Sequence, residues 1–136
     1  MTDLLIDTSV SVPLLVASHA AHRSVLAAVG DRVIALAGHA LNETYSVLTR
    51  LPGDARLLPI DAIRLLRERF DQAAVLDARA ARSAPGLLAD HGLAGGATYD
   101  GLIALAARSA RLPLGTRDRR AEGTYRRVGV EVEMLY

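Results

Sequence analysis

No cysteine occurs in the 136 residues, which excludes disulfides and thiolate metal sites; a bound metal would have to be held by oxygen or imidazole. Lysine is also absent, since all sixteen basic residues are arginine, and this removes every mechanism that needs a lysine amine. Long apolar runs are missing as well. Stretches such as Leu102 to Ala107 are far too short to cross a bilayer. The first residues, Met1 to Asp7, carry no basic segment and hold two acids within their only apolar stretch, unlike a signal peptide. A cytoplasmic protein with no membrane role is expected. Nor is there an excess of either charge: a net charge of +1 sets up no global basic field, so any nucleic-acid contact must come from a local patch.

What is present fits a soluble globular chain, 51% hydrophobic and 23% charged, with length for one domain over residues 1–136 and little room for a second. Short apolar runs recur at Leu4 to Ile6, Val33 to Leu36, Ala73 to Leu76, Leu112 to Leu114 and Val130 to Leu135, each the length of a buried strand. Between them lie helical patterns at Ser11–Ser18, Ala20–Val29, Ala40–Leu51, Asp61–Phe70, Ala78–His91, Tyr99–Ala110 and Arg119–Val128. The alternation predicts an α/β fold with a parallel sheet of five strands. In the third helix Leu41, Thr44, Tyr45, Leu48 and Leu51 share one face, the stripe that a helix buries against a sheet, and Glu43 lies off its centre. Leu51-Pro52-Gly53-Asp54 and Leu93-Ala94-Gly95-Gly96 are turns within the fold, not domain linkers.

Four acids occupy element ends or helix flanks: Asp7 after the first strand, Glu43 in the third helix, Asp100 in a helix's first turn, and Asp118 after the run ending in Thr116-Arg117. In open α/β sheets the binding crevice lies beyond the carboxyl ends of the strands, where strand order reverses, and Asp7 and Asp118 fit that place. Taken singly, Asp7, Asp100 and Asp118 read equally well as helix caps or dipole partners, and Asp61 and Asp77 are assigned to capping. Glu43 has no arginine one turn on, only Ser46 and Val47, so a solvated ion pair does not account for it. Asp100 opens a helix apolar nearly all round, Gly101 to Ala107, where a charge is costly without compensation.

Thr116 stands two residues before Asp118, on the same side of an extended strand, where its hydroxyl serves either to orient a carboxylate or as an ordinary strand threonine. Arg117, Arg119 and Arg120 surround Asp118 and form either a phosphate-binding patch or a solvated basic turn. The four histidines, His19, His22, His39 and His91, show no metal-ligand spacing with a nearby acid. Gly95-Gly96 lacks the residues of a phosphate-binding loop.

The ordered set Ile6-Asp7-Thr8-Ser9, Asn42-Glu43-Thr44-Tyr45-Ser46-Val47-Leu48-Thr49-Arg50-Leu51-Pro52, Thr98-Tyr99-Asp100-Gly101-Leu102-Ile103-Ala104 and Thr116-Arg117-Asp118-Arg119-Arg120 resembles the PIN-domain ribonucleases, and among them the VapC toxins of bacterial toxin–antitoxin pairs. The likeness runs along the whole chain. It implies a three-layer α/β/α sandwich with a five-stranded parallel sheet. It also implies that Asp7, Glu43, Asp100 and Asp118 hold Mg²⁺ or Mn²⁺ for RNA cleavage, leaving 5′-phosphate and 3′-hydroxyl ends. Thr116 matches the hydroxyl position near the last acid. Homodimerisation and inhibition by a VapB-like antitoxin are further implications. One departure is Gly115, where a branched apolar residue is expected before Thr-Arg-Asp, and a looser strand end is anticipated from it. Two other classes compete. A phosphoacceptor receiver domain also gathers acids at strand ends but uses a lysine, which this chain lacks; a PIN-like binding module without catalysis would be separated from a nuclease by cleavage assays with and without EDTA.

Overall fold

A computed structural model describes residues 1–136. In chain order the elements are β1 (Leu4–Ile6), α1 (Thr8–Leu15), α2 (His22–Val29), β2 (Ile34–Leu36), α3 (Ala40–Leu48), α4 (Pro59–Arg69), α5 (Ala78–Asp90), α6 (Ala97–Ala110), β3 (Leu114–Thr116), α7 (Arg119–Val128) and β4 (Val132–Met134). All strand pairs are parallel, in the order β2-β1-β3-β4. Every residue of β1, β2 and β3 is buried, as the apolar runs require of a parallel sheet covered on both faces by helices. The three-layer α/β/α arrangement follows. Leaving β1, the chain forms β2 on one side and later returns to form β3 on the other, so strand order reverses between β1 and β3.

The sheet has four strands rather than the expected five. Ala73 to Leu76 runs beside β2 but makes a single isolated bridge, Ala37 to Ala74. Its backbone bonds there are Ala74 N to Leu36 O at 2.9 Å and Gly38 N to Ala74 O at 2.6 Å. Two alanines bring little side chain to a pleated surface, and the chain is diverted at once into α5 by the Asp77 cap, whose carboxylate accepts from Ala80 N at 2.7 Å. α1 begins at Thr8, three residues before the sequence pattern suggests, because Asp7 caps it.

Gly115 does not loosen its strand; it allows a close approach. A Cβ at this position would lie 2.7 Å from Leu135 Cδ1 and 3.3 Å from Leu4 Cδ2, and both leucines are buried. Leu135 is pinned over β3 by its own amide, which donates to Thr116 O at 2.9 Å. A branched apolar residue here would force the buried Leu135 side chain to shift. Gly115→Val is expected to lower the stability by about 1–3 kcal/mol through overpacking, read as a fall in the urea midpoint with an unchanged m-value.

Candidate functional site

β1 and β3 lie side by side in the register Leu5 to Leu114 and Ile6 to Gly115, which carries Asp7 and Thr116 to neighbouring places at the carboxyl end of the sheet. Both aspartates that follow these strands cap helices. Asp7 Oδ1 accepts from Ser9 N at 3.0 Å, and Asp118 Oδ1 accepts from Arg120 N at 2.9 Å. Glu43 and Asp100 stand in the first turns of α3 and α6. All four acids thus sit at helix N-termini, whose dipoles favour negative charge.

Asp7 is only 4% exposed, and a carboxylate buried to that degree requires donors. It has four. Oδ1 takes the Ser9 amide and also Ser9 Oγ at 2.6 Å; Oδ2 takes Thr116 Oγ1 at 2.5 Å and the Tyr125 hydroxyl at 2.8 Å. Ser9 and Thr116 are themselves linked, Oγ to Oγ1 at 3.2 Å, and accept from the Arg117 and Asp118 amides respectively. Thr116 is thus a carboxylate-orienting hydroxyl, one of the two roles open to it from sequence. Burial, followed by the charge of Asp7, pushes the Tyr125 phenol far above the ordinary tyrosine range, so it remains a neutral donor.

Asp100 feels the other three acids. Burial raises its carboxyl above the usual aspartate range, and the charges of Asp118, Asp7 and Glu43 raise it further, with His39 opposing them. Glu43 is tied to the same end, since Thr8 Oγ1 donates to its Oε1 at 3.4 Å. The four carboxylates are gathered within electrostatic reach of one another, but no three of them converge as a ready coordination sphere. An all-oxygen set of this kind suits Mg²⁺ or Mn²⁺. Mg²⁺ in particular commonly takes one or two carboxylates together with waters and substrate phosphate, not a closed protein cage.

The three flanking arginines differ. Arg119 is occupied: its Nε donates to the Tyr136 hydroxyl at 2.9 Å and its guanidinium lies 5.2 Å from that ring. Arg120 is almost wholly exposed, with its Nε 3.6 Å from Asp118 Oδ1. Arg117 has a buried Nε with no hydrogen-bond partner.

Sequence reasoning missed three contributors. Ser9, one residue of the first motif, carries no separate signal in the sequence. Tyr125 shares the buried face of α7 with Ala121 and Val128, a stripe that reads as core and conceals a polar contact with a residue 118 positions away. His39 does meet an acid: its Nε2 lies 3.7 Å from Glu43 Oε1, one helical turn on, and the His-x-x-x-Glu spacing was the available signal. Its ring also packs edge-on against Tyr99, centroids 5.9 Å apart. A cavity of about 540 Å³ between α3 and α4 is lined by residues such as Leu41, Tyr45, Leu66 and Phe70 and by none of the four acids.

The sequence pattern of the PIN domain matches residues 4–128. Ribonuclease VapC27 of Mycobacterium tuberculosis is 54% identical over 129 residues, covering 95% of this chain and 94% of that protein. Ribonuclease VapC40 of the same species is 42% identical over 130 residues, covering 95% and 96%. Among solved structures, a chain of the DNA-bound VapBC from Salmonella typhimurium superposes with a TM-score of 0.69 over the full length of both chains, at 20% identity, a likeness of fold. With the whole-chain match to named relatives and the acids of all four motifs at one end of the sheet, this chain belongs to the VapC branch of the PIN-domain family.

Proposed function

We propose that this chain is a divalent-metal-dependent endoribonuclease that cuts RNA phosphodiesters, acting as the cytoplasmic, homodimeric toxin of a type II pair and restrained by a VapB-like antitoxin. The observation that carries the reading is the gathering of four acids from four separate motifs at the carboxyl end of β1 and β3, around a carboxylate already fixed in place by four donors. Kinship with chains named ribonuclease supports RNA as the substrate, and the likeness to a chain of a VapBC complex supports the partner.

The residues divide the work by position. Asp7, held on both oxygens, is the pre-oriented ligand; Asp100, Asp118 and Glu43, with freer carboxylates, complete the set. Thr116 and the Ser9 amide keep Asp7 from rotating. The exposed Arg120, beside Asp118, is the arginine we assign to substrate phosphates, where a guanidinium fork suits the anion; Arg117, partly exposed and with its Nε buried, would have to turn outward to join it. When bound, Mg²⁺ or Mn²⁺ supplies stabilisation of the leaving oxygen and activation of the attacking water.

The first test is charge removal. Asp118→Asn keeps an N-cap for α7, since asparagine caps as well as aspartate, and is expected to fold normally while losing EDTA-sensitive RNA cleavage by roughly 10²-fold or more. Asp7→Asn should lose it equally. Cleavage at the parent rate by either purified variant, or wild-type cleavage indifferent to EDTA, overturns the assignment.

A second expectation concerns the protein without metal. The raised carboxyl of Asp100 holds its proton to a higher pH in the folded state than in the unfolded one. Its contribution to stability therefore falls as pH rises from the ordinary aspartate value of about 4 through the raised folded value. In EDTA, Asp100→Asn should melt about 2 °C or more above the wild type at pH 7.5, with the gap closing towards pH 4. Added Mn²⁺ should stabilise the wild type and not the variant.

A further inference from the structure

Asp7 poses a problem of capacity for the metal-dependent reading, on which this inference rests. A carboxylate offers about four lone-pair positions, and all four on Asp7 are taken, by Ser9 N, Ser9 Oγ, Thr116 Oγ1 and Tyr125 OH. Binding a cation requires one to be vacated. The alternatives open to each donor decide which.

The Ser9 amide is fixed by the start of α1. Tyr125 is 1% exposed and its hydroxyl has Asp7 as its hydrogen-bond partner, so releasing Asp7 would strand a buried donor. Thr116 is fully buried and makes the shortest of the four bonds, 2.5 Å. Both bonds to Oδ2 lie in the interior, whereas both bonds to Oδ1 are only part-buried; an ion arriving from solvent reaches Oδ1 first.

Ser9 Oγ is the donor with somewhere else to go. Its hydrogen can turn from Asp7 Oδ1 to Thr116 Oγ1, 3.2 Å away, as the side chain draws back from Oδ1, because two oxygens 2.6 Å apart repel once no proton lies between them. The result is fully satisfied. Thr116 would then donate to Asp7 and accept from both Asp118 N and Ser9, which fills its one donor and two acceptor positions. Ser9 would donate to Thr116 and still accept from Arg117 N. We infer that Tyr125 is a positioning residue of the acidic centre: its buried phenol, with Thr116, pins Oδ2 of Asp7, while the Ser9 hydroxyl turns to Thr116 and releases Oδ1 to a divalent cation.

The test is Mn²⁺ binding by calorimetry, alongside the Mg²⁺ dependence of RNA cleavage, for the wild type, Tyr125→Phe, Ser9→Ala and Asp7→Asn. Tyr125→Phe keeps the ring and loses only the hydroxyl. It should raise the Kd for Mn²⁺ about tenfold or more, the usual effect of losing a group that orients a ligand. The Mg²⁺ needed for half-maximal cleavage should rise by a similar factor, while the rate at saturating Mg²⁺ falls by less than about threefold. Ser9→Ala should bind Mn²⁺ no more weakly than the wild type, because it removes a competitor for Oδ1.

Wild-type Mn²⁺ affinity in Tyr125→Phe, with binding lost in Asp7→Asn, overturns the role of Tyr125 and leaves the metal-dependent reading standing. Weakening by Ser9→Ala as large as that by Tyr125→Phe overturns the exchange at Oδ1. Absence of Mn²⁺ binding in the wild type overturns both this inference and the reading beneath it. Should Tyr125→Phe not fold, proton NMR of the wild type decides. The downfield hydroxyl proton of Tyr125 is expected to persist through Mg²⁺ saturation, and its loss on binding refutes the pinning.

Discussion

The buried charge of Asp7 is the constraint around which the rest is arranged. A carboxylate at 4% exposure is tolerated only where donors replace the water it has lost, and the donors here come from three other parts of the chain: Ser9 in α1, Thr116 at the end of β3 and Tyr125 in α7. A one-residue slip of β3 against β1 would turn Thr116 to the opposite face and leave that charge uncompensated. The same interaction that orients the candidate ligand therefore also specifies the register of the sheet. Gly115 contributes from the next position, by letting Leu135 close over the strand end.

Four acids in one crevice repel one another, and the fold meets that cost before any cation is considered. α1, α3, α6 and α7 all direct their N-termini to this end, with Asp7 and Asp118 as caps and Glu43 and Asp100 in first turns. The β-to-α connections into α1, α3 and α7 place those helix starts beyond the carboxyl ends of strands, and α6, which leads into β3, runs back along the sheet from the same end, so the positive dipole ends collect where the acids do. Capping and ligand duty are thus not rival explanations of these aspartates. One side chain performs both: Asp118 uses Oδ1 for the helix, on Arg120 N, and keeps Oδ2 free of the cap, whereas Asp7 caps α1 and faces the crevice with the same oxygen, Oδ1. Asp100 shows what remains unpaid, since burial and its three acidic neighbours still hold its proton too tightly.

What could be read from the sequence follows from how local each signal is. Strand ends and helix starts are written in a few adjacent residues, and Asp7, Asp100 and Asp118 were placed correctly on them. The Ala73 to Leu76 run looked like a strand because apolar length alone does not report whether an edge has room for a ladder, and only one bridge formed. His39 is locally legible, four residues before Glu43 on the same helix face, although its spacing is that of a helical pair and not of a metal site. Tyr125 was out of reach in principle: its stripe with Ala121 and Val128 announces burial, and nothing within α7 says that the phenol meets a carboxylate at the other end of the chain.

That separation has a consequence for how the site comes into being. Asp7 precedes Thr116 by 109 positions and Tyr125 by 118, so the first acid of the centre is not fully compensated until β3 and α7 have docked. Contacts of such separation close loops at an entropic cost that is met late in folding. Before then Asp7 has only Ser9, two residues away, and stands as a capped but freely hydrated aspartate. Site and core share the same packing, α7 against β3 and β4 beside it, so weakening the packing of Tyr125, Leu135 or Gly115 would act on the geometry of Asp7 as well as on the stability of the fold.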